Sequence, residues 1–187
     1  MKRNNFIKLI ISVIVAELAG VIGSIFTSSS VSTWYRTLPK PAFNPPNWVF
    51  SPVWIALFLL MGIAAFLIWK KGWKHKGVRV ALFVYAIQLV LNIFWSIIFF
   101  GWRSPAAAFS EILLLWLAIL LTIILFSRLS RAAAWLLVPY ILWVTFAAVL
   151  NFSIWSISFR IRQGTLIYLP AHSTVYVANP ALRWGQR

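Results

Sequence analysis

The chain has 187 residues, of which 62% are hydrophobic, with a net charge of +15 and a mean hydropathy of +0.89; soluble domains are roughly 45–50% apolar. It holds two carboxylates, Glu17 and Glu111, two histidines and no cysteine, which excludes most hydrolases, metalloenzymes and acid–base catalysts, since these need positioned carboxylate, His or Cys groups. The basic excess does not call for nucleic acid, because in so apolar a chain Lys and Arg mark the cytoplasmic loops.

A helix needs about 20 mostly apolar residues to cross a bilayer. Five segments qualify, at about 6–26, 49–69, 80–100, 105–126 and 133–157. Lipid cannot satisfy free backbone groups, so each must be helical. The fold class expected is an all-α membrane protein, a five-helix bundle filling about residues 1–159, with a basic, poorly ordered tail over 160–187.

The first span begins with Lys2, Arg3 and Lys8 and could be taken for a signal peptide. Glu17, its length, and the unsuitable Ser28-Ser29-Ser30 run after it favour a retained span. Ala16, Gly20 and Ser24 recur every four residues with Gly23 beside them, a pattern that lets helices approach closely. Packing within the bundle and a dimer face both remain open.

Residues 27–52 form the longest connection. It holds five prolines (Pro39, Pro41, Pro45, Pro46 and Pro52), which stiffen it. It also carries Trp34, Tyr35, Phe43, Trp48 and Phe50. A stiff aromatic loop reads as a lid over one end of the bundle. The alternative is an interfacial aromatic belt, which Trp48 and Phe50 fit well.

The second span offers Trp54, Phe58 and Met61 on one face. The basic loop after it, with Lys70, Lys71, Lys74, Lys76 and Arg79, suits anionic lipid. The third span places Gln88, Asn92, Trp95 and Phe99 on one face. Amides are costly in lipid unless paired, so this face points inward. Its amides either bond neighbouring helices or line a polar spot in an apolar pocket. The connection from Gly101 to Ser104 is so short that spans three and four must be antiparallel neighbours.

Pro105 opens the fourth span, where its missing N–H costs nothing. Glu111 lies one and a half turns in; with no titratable partner evident, it and Glu17 read as structural hydrogen-bonding groups. Pro139 should kink the fifth span or mark a late start. Trp143, Ala147 and Leu150 share a face of that span with Asn151 adjoining, and a ring beside a small residue makes a recess. Beyond Ile161, Thr165–Leu169 and Ser173–Val177 could form a hairpin, which alone is marginal in water.

The N-terminus and the second and fourth loops (Arg128 and Arg131) carry 3 + 5 + 2 = 10 basic residues. The first and third loops carry Arg36, Lys40 and Arg103, which is 3. The N-terminus is therefore predicted to be cytoplasmic and the C-terminus on the opposite side.

Several of these stretches together resemble one family. Trp34-Tyr35, Leu38, Lys40-Pro41, Phe43, Pro45-Pro46, Trp48-Val49-Phe50 and Pro52-Val53-Trp54, followed by Met61-Gly62, are similar to the signature of the tryptophan-rich sensory proteins, whose mitochondrial members are the translocator proteins or peripheral benzodiazepine receptors. Gln88, Leu91-Asn92, Trp95-Ser96 and Phe99-Phe100 resemble its third span. Pro139-Tyr140, Trp143, Phe146-Ala147 and Leu150-Asn151 resemble its fifth. With Gly20, Gly23 and Ser24, the likeness covers roughly residues 6–157.

The resemblance implies a multi-pass protein of a bacterial cell membrane whose first loop closes a ligand pocket. It implies porphyrin or haem as ligand, or sterol-like and benzodiazepine-type molecules, with no obligatory cofactor. Carried over, the ligand-binding residues are Tyr35, Pro45, Trp54, Asn92, Trp95, Trp143, Ala147 and Leu150. No catalytic residue is implied unless porphyrin is degraded in light, in which case Trp54 and Trp143 match the tryptophans concerned. Transport is a third possibility, and a homodimer through span three is also implied. Phe152 and Ser156 stand where the sterol motif has Tyr and Arg, although Val31, Tyr35 and Lys40 fit the loose sterol pattern.

Overall fold

The computed structural model describes residues 3–169 and 174–177. Five helical spans are long and apolar enough to cross a membrane. The first is α1 (Arg3–Val31). A short α2 (Trp34–Thr37) and the proline loop lead to α3 (Asn47–Trp69). The third span, α4 (Val78–Ser96), continues as a π-helical turn over Ile97–Gly101. The fourth is α5 (Pro105–Leu129). The fifth is split into α6 (Arg131–Leu136) and α7 (Val138–Arg162). Strands β1 (Leu166–Leu169) and β2 (Thr174–Val177) pair antiparallel, with Leu166 opposite Val177. The rest of the tail lies outside the described residues.

The ring of helices closes in a definite order. α1 packs on α3 and on α4, α4 on α5, and α5 on α7, while α3 meets the fifth span chiefly through α6. Small residues set the closest approach. A Cβ on Gly62 would lie 2.6 Å from Val13 Cα, and one on Gly20 would lie 2.5 Å from the Phe58 ring. Gly20 on α1 and Gly62 on α3 therefore let these two helices approach closely.

Two boundaries differ from the sequence reading. Residues 27–31 and 47–52, expected in the first loop, are helical. The hydroxyls of Ser28, Ser29 and Thr33 donate to main-chain carbonyls one turn back, so the helix tolerates them. Ser30 instead reaches across to the Phe100 carbonyl at 2.8 Å, pinning the end of α1 to the end of the third span. The fifth span begins at Arg131 and is interrupted beside Pro139, the first of the two alternatives that proline offered. Leu137 breaks the helix and Pro139 sits in the first turn of α7, where no N–H is needed. Ser130 caps α6 by accepting from the Ala133 N–H.

The turn between α4 and α5 is tight enough to hold Arg103 at a φ of 54°. The π turn before it, closed by the Trp102 N–H on the Ile97 carbonyl at 2.8 Å, lets the consecutive rings of Phe99 and Phe100 both be buried.

Candidate functional site

A cavity of about 590 Å³ lies within the loop-bearing half of the bundle. That volume falls in the range of small-molecule sites, roughly 300–1,000 Å³. Rings form one wall. Trp54 stacks on Phe58, with centroids 5.6 Å apart and planes 29° apart, and meets Tyr140 edge-on at 6.3 Å. Trp143 meets Phe50 edge-on at 6.0 Å. Trp95 stacks on Phe99 at 5.3 Å. Arrays of this kind suit a flat apolar ligand, because offset and edge-on contacts are the favoured aromatic geometries.

Seven of the eight residues singled out from sequence line this one cavity: Tyr35, Trp54, Asn92, Trp95, Trp143, Ala147 and Leu150. Pro45 does not. Its carbonyl accepts from Asn44 Nδ2 at 3.0 Å, and it belongs to the turn that delivers the chain into α3. Phe50, which suited an interfacial belt, lines the cavity instead. Trp48, two residues earlier in the first turn of α3, faces outward with 74% exposure.

The amides divide between the two readings left open. Asn92 lines the cavity and also donates to the Tyr140 hydroxyl at 3.1 Å. Gln88 is buried away from the cavity, and its Nε2 lies 3.9 Å from Met61 Sδ. Asn151 does both: it lines the wall, accepts from Trp95 Nε1 at 3.2 Å and donates to the Pro105 carbonyl at 2.7 Å.

The first loop is fastened beside the cavity through Tyr35. Tyr35 on α2 is buried, packs beside Phe99 and Phe100, and donates its hydroxyl to Asn44 Oδ1 at 2.8 Å. Burial pushes its phenol up to about 12. Lys40 Nζ lies 4.6 Å from the Tyr35 ring centroid and donates to the Leu38 carbonyl at 3.1 Å. Burial, reinforced by the Arg36 charge, holds this amine below the ordinary lysine range. Phe43 reaches Phe146 of α7 edge-on at 6.2 Å.

Two features were not read from the sequence. The first is the wall built by α1, where Glu17, Gly20, Gly23, Ser24, Thr27 and Ser28 all line the cavity. A Ser/Thr-rich segment after an apolar run reads as a loop, so its place on a helix was hidden; Glu17, placed at mid-span, was the available signal. The second concerns the acids. Both were expected to make structural hydrogen bonds. Glu111 is buried with both oxygens unpartnered. Glu17 likewise has no hydrogen-bond or charge partner among the described residues. The described residues contain no cluster of three His, Cys, Asp or Glu side chains.

The sequence profile of the TspO/MBR family matches residues 12–156. The tryptophan-rich protein TspO of Chlorobaculum tepidum is 50% identical over 135 residues, covering 72% of this chain and 85% of that one. The protein of the same description from Archaeoglobus fulgidus is 42% identical over 152 residues, covering 81% and 97%. The human translocator protein is 38% identical over 150 residues, covering 79% and 88%.

Proposed function

The chain belongs to the TspO/MBR family of multi-pass membrane proteins, and from that premise we propose that it is a receptor or carrier for a flat apolar ligand, a porphyrin or haem in the first instance. The observation that carries this reading is the gathering of Trp54, Trp95, Trp143 and Ala147 around one cavity of about 590 Å³. Buried apolar area supplies most of the affinity at about 25 cal/mol per Å². The rings orient the macrocycle, and Asn92 and Asn151 give polar contacts at fixed points.

No His or Cys lines the cavity, and the Tyr35 hydroxyl is engaged by Asn44. The reading therefore has porphyrin bind through its faces, with or without iron. The protein would sit in a bacterial cell membrane with its N-terminus cytoplasmic. The Lys70–Arg79 loop would then meet anionic headgroups of the inner leaflet.

Titration of purified protein with protoporphyrin IX, read by tryptophan quenching, tests the reading. Saturable quenching that Ala147→Leu weakens supports it. Non-saturable quenching, or quenching indifferent to that change, refutes it. Illumination of the complex then separates a binder from a degrading enzyme: a binder leaves the pigment's spectrum intact.

A further inference from the structure

The cavity has a second wall whose chemistry differs from that of the rings. On α1, residues 17, 21, 24 and 28 follow the i, i+4, i+7, i+11 pattern of one helix face, and all four line the cavity. Val21 on α1 and Ile55 on α3 are also lining residues, yet they are 55% and 61% exposed. The cavity is thus open sideways between α1 and α3, toward the bilayer.

This wall offers acceptors and no free donors. Ser24 donates its hydroxyl proton to the Val21 carbonyl at 2.7 Å, Thr27 to Gly23 at 3.1 Å and Ser28 to Ser24 at 2.7 Å. What faces the cavity is oxygen lone pairs. At the deep end stands Glu17, half-buried, the one charged side chain among the lining residues. It is the fifteenth residue of a 29-residue helix, hence at mid-membrane. A carboxylate there is costly until it finds a partner, and the described residues provide none.

We propose that the α1 wall is a cation-recognition subsite: the cavity favours flat apolar ligands bearing an ammonium or comparable charged nitrogen, with Glu17 as counter-ion. The proposal rests on the cavity being the ligand site, and it adds a charge preference to that reading. It also sets an orientation for anionic rings. Carboxylate-bearing edges turn away from Glu17 toward the Tyr35 end, where Lys40 covers the Tyr35 ring.

Three probes sharing one macrocycle test this: protoporphyrin IX, its neutral dimethyl ester, and its diamide with 2-(dimethylamino)ethylamine, which is cationic at neutral pH. Each is titrated against the full chain in nanodiscs of zwitterionic lipid, so that lipid charge does not bias partitioning. The native protein should bind the diamide at least tenfold tighter than the ester, a difference of about 1.4 kcal/mol. Glu17→Gln should bring the two affinities within twofold of each other. A native ratio near one, measured with no variant at all, overturns the subsite, as does a tenfold ratio that survives Glu17→Gln. An ester that fails to bind the native protein, or binds Ala147→Leu equally well, instead brings down the cavity as the ligand site.

Discussion

Trp95 on α4 donates its indole N–H to Asn151 on α7, and Asn151 passes the link on to the Pro105 carbonyl at the start of α5. One amide ties three helices beside the cavity. Asn151→Ala orphans both partners. Hydrogen bonds between membrane helices average about 0.6 kcal/mol and reach about 1.7, so the pair should contribute about 1–3 kcal/mol. The loss should appear as a lower midpoint in thermal or detergent unfolding. An unchanged midpoint would mean that water or another side chain replaces both bonds.

Gly62 and Gly20 should respond differently to alanine. At Gly62 the new methyl meets Val13 backbone, and at Gly20 it meets a ring. Backbone cannot step aside without moving α1, so Gly62→Ala should lower stability by about 1–3 kcal/mol. Gly20→Ala should cost less stability but push Phe58 toward the cavity and weaken ligand binding. Equal stability losses with unaltered binding would contradict the packing described.

Ala147→Leu fills the recess beside Trp143 and should lower porphyrin affinity tenfold or more, about 1.4 kcal/mol per decade. The matching control is Val149→Leu, on the exposed face of α7 at 52%. Quenching titrations should separate the two. If both weaken binding alike, the cavity face has been misassigned.

The lid hydrogen bond from Tyr35 to Asn44 should give a pH signature. Burial places the phenol at about 12, above its ordinary 10.0, so the neutral form is the one the folded loop favours. That contribution is intact below about pH 10 and is lost as pH rises through about 12. Tyrosinate absorbance of the native protein minus that of Tyr35→Phe should show a step near pH 12. A step near 10 would place the ring in water. Tyr35→Phe should also raise the ligand's off-rate, since the loop loses its tether.

Reporter fusions check the orientation. A reporter at Lys74 should be cytoplasmic and one at Ala42 should lie on the opposite face, following the 10-to-3 bias in basic residues. The reverse result would invert the proposed topology, and a shared side would break the span count.

The ring-and-amide faces were legible because Asn92, Trp95 and Phe99, like Trp143, Ala147 and Leu150, recur at helical spacing. The end of α1 was not, since hydroxyls that bond back to their own helix have the same sequence as hydroxyls in a loop. The π turn at Ile97–Gly101 was hidden too: it alters which carbonyl each N–H reaches and leaves no mark on residue type. Ala148 shows a subtler limit. It stands about 100° round the helix from Ala147, yet both are buried. Periodicity gives direction on one helix but not which directions a neighbouring helix occupies.

The seam between α3 and α7 closes through Phe50 on Trp143 and Trp54 on Tyr140, with little backbone contact. Such ring pairs are worth about 0.5–1.5 kcal/mol each beyond their buried area. Parting both forfeits about 1–3 kcal/mol of ring-pair geometry, in addition to the apolar area the rings bury. No helical hydrogen bond need break for it. On the α1–α3 side, away from the cavity opening, Gly62 instead meets Val13 backbone. The bundle thus has one flank closed by backbone contact and one closed by rings. Weakening these two contacts should therefore loosen the α3–α7 wall of the cavity while leaving the rest of the bundle folded.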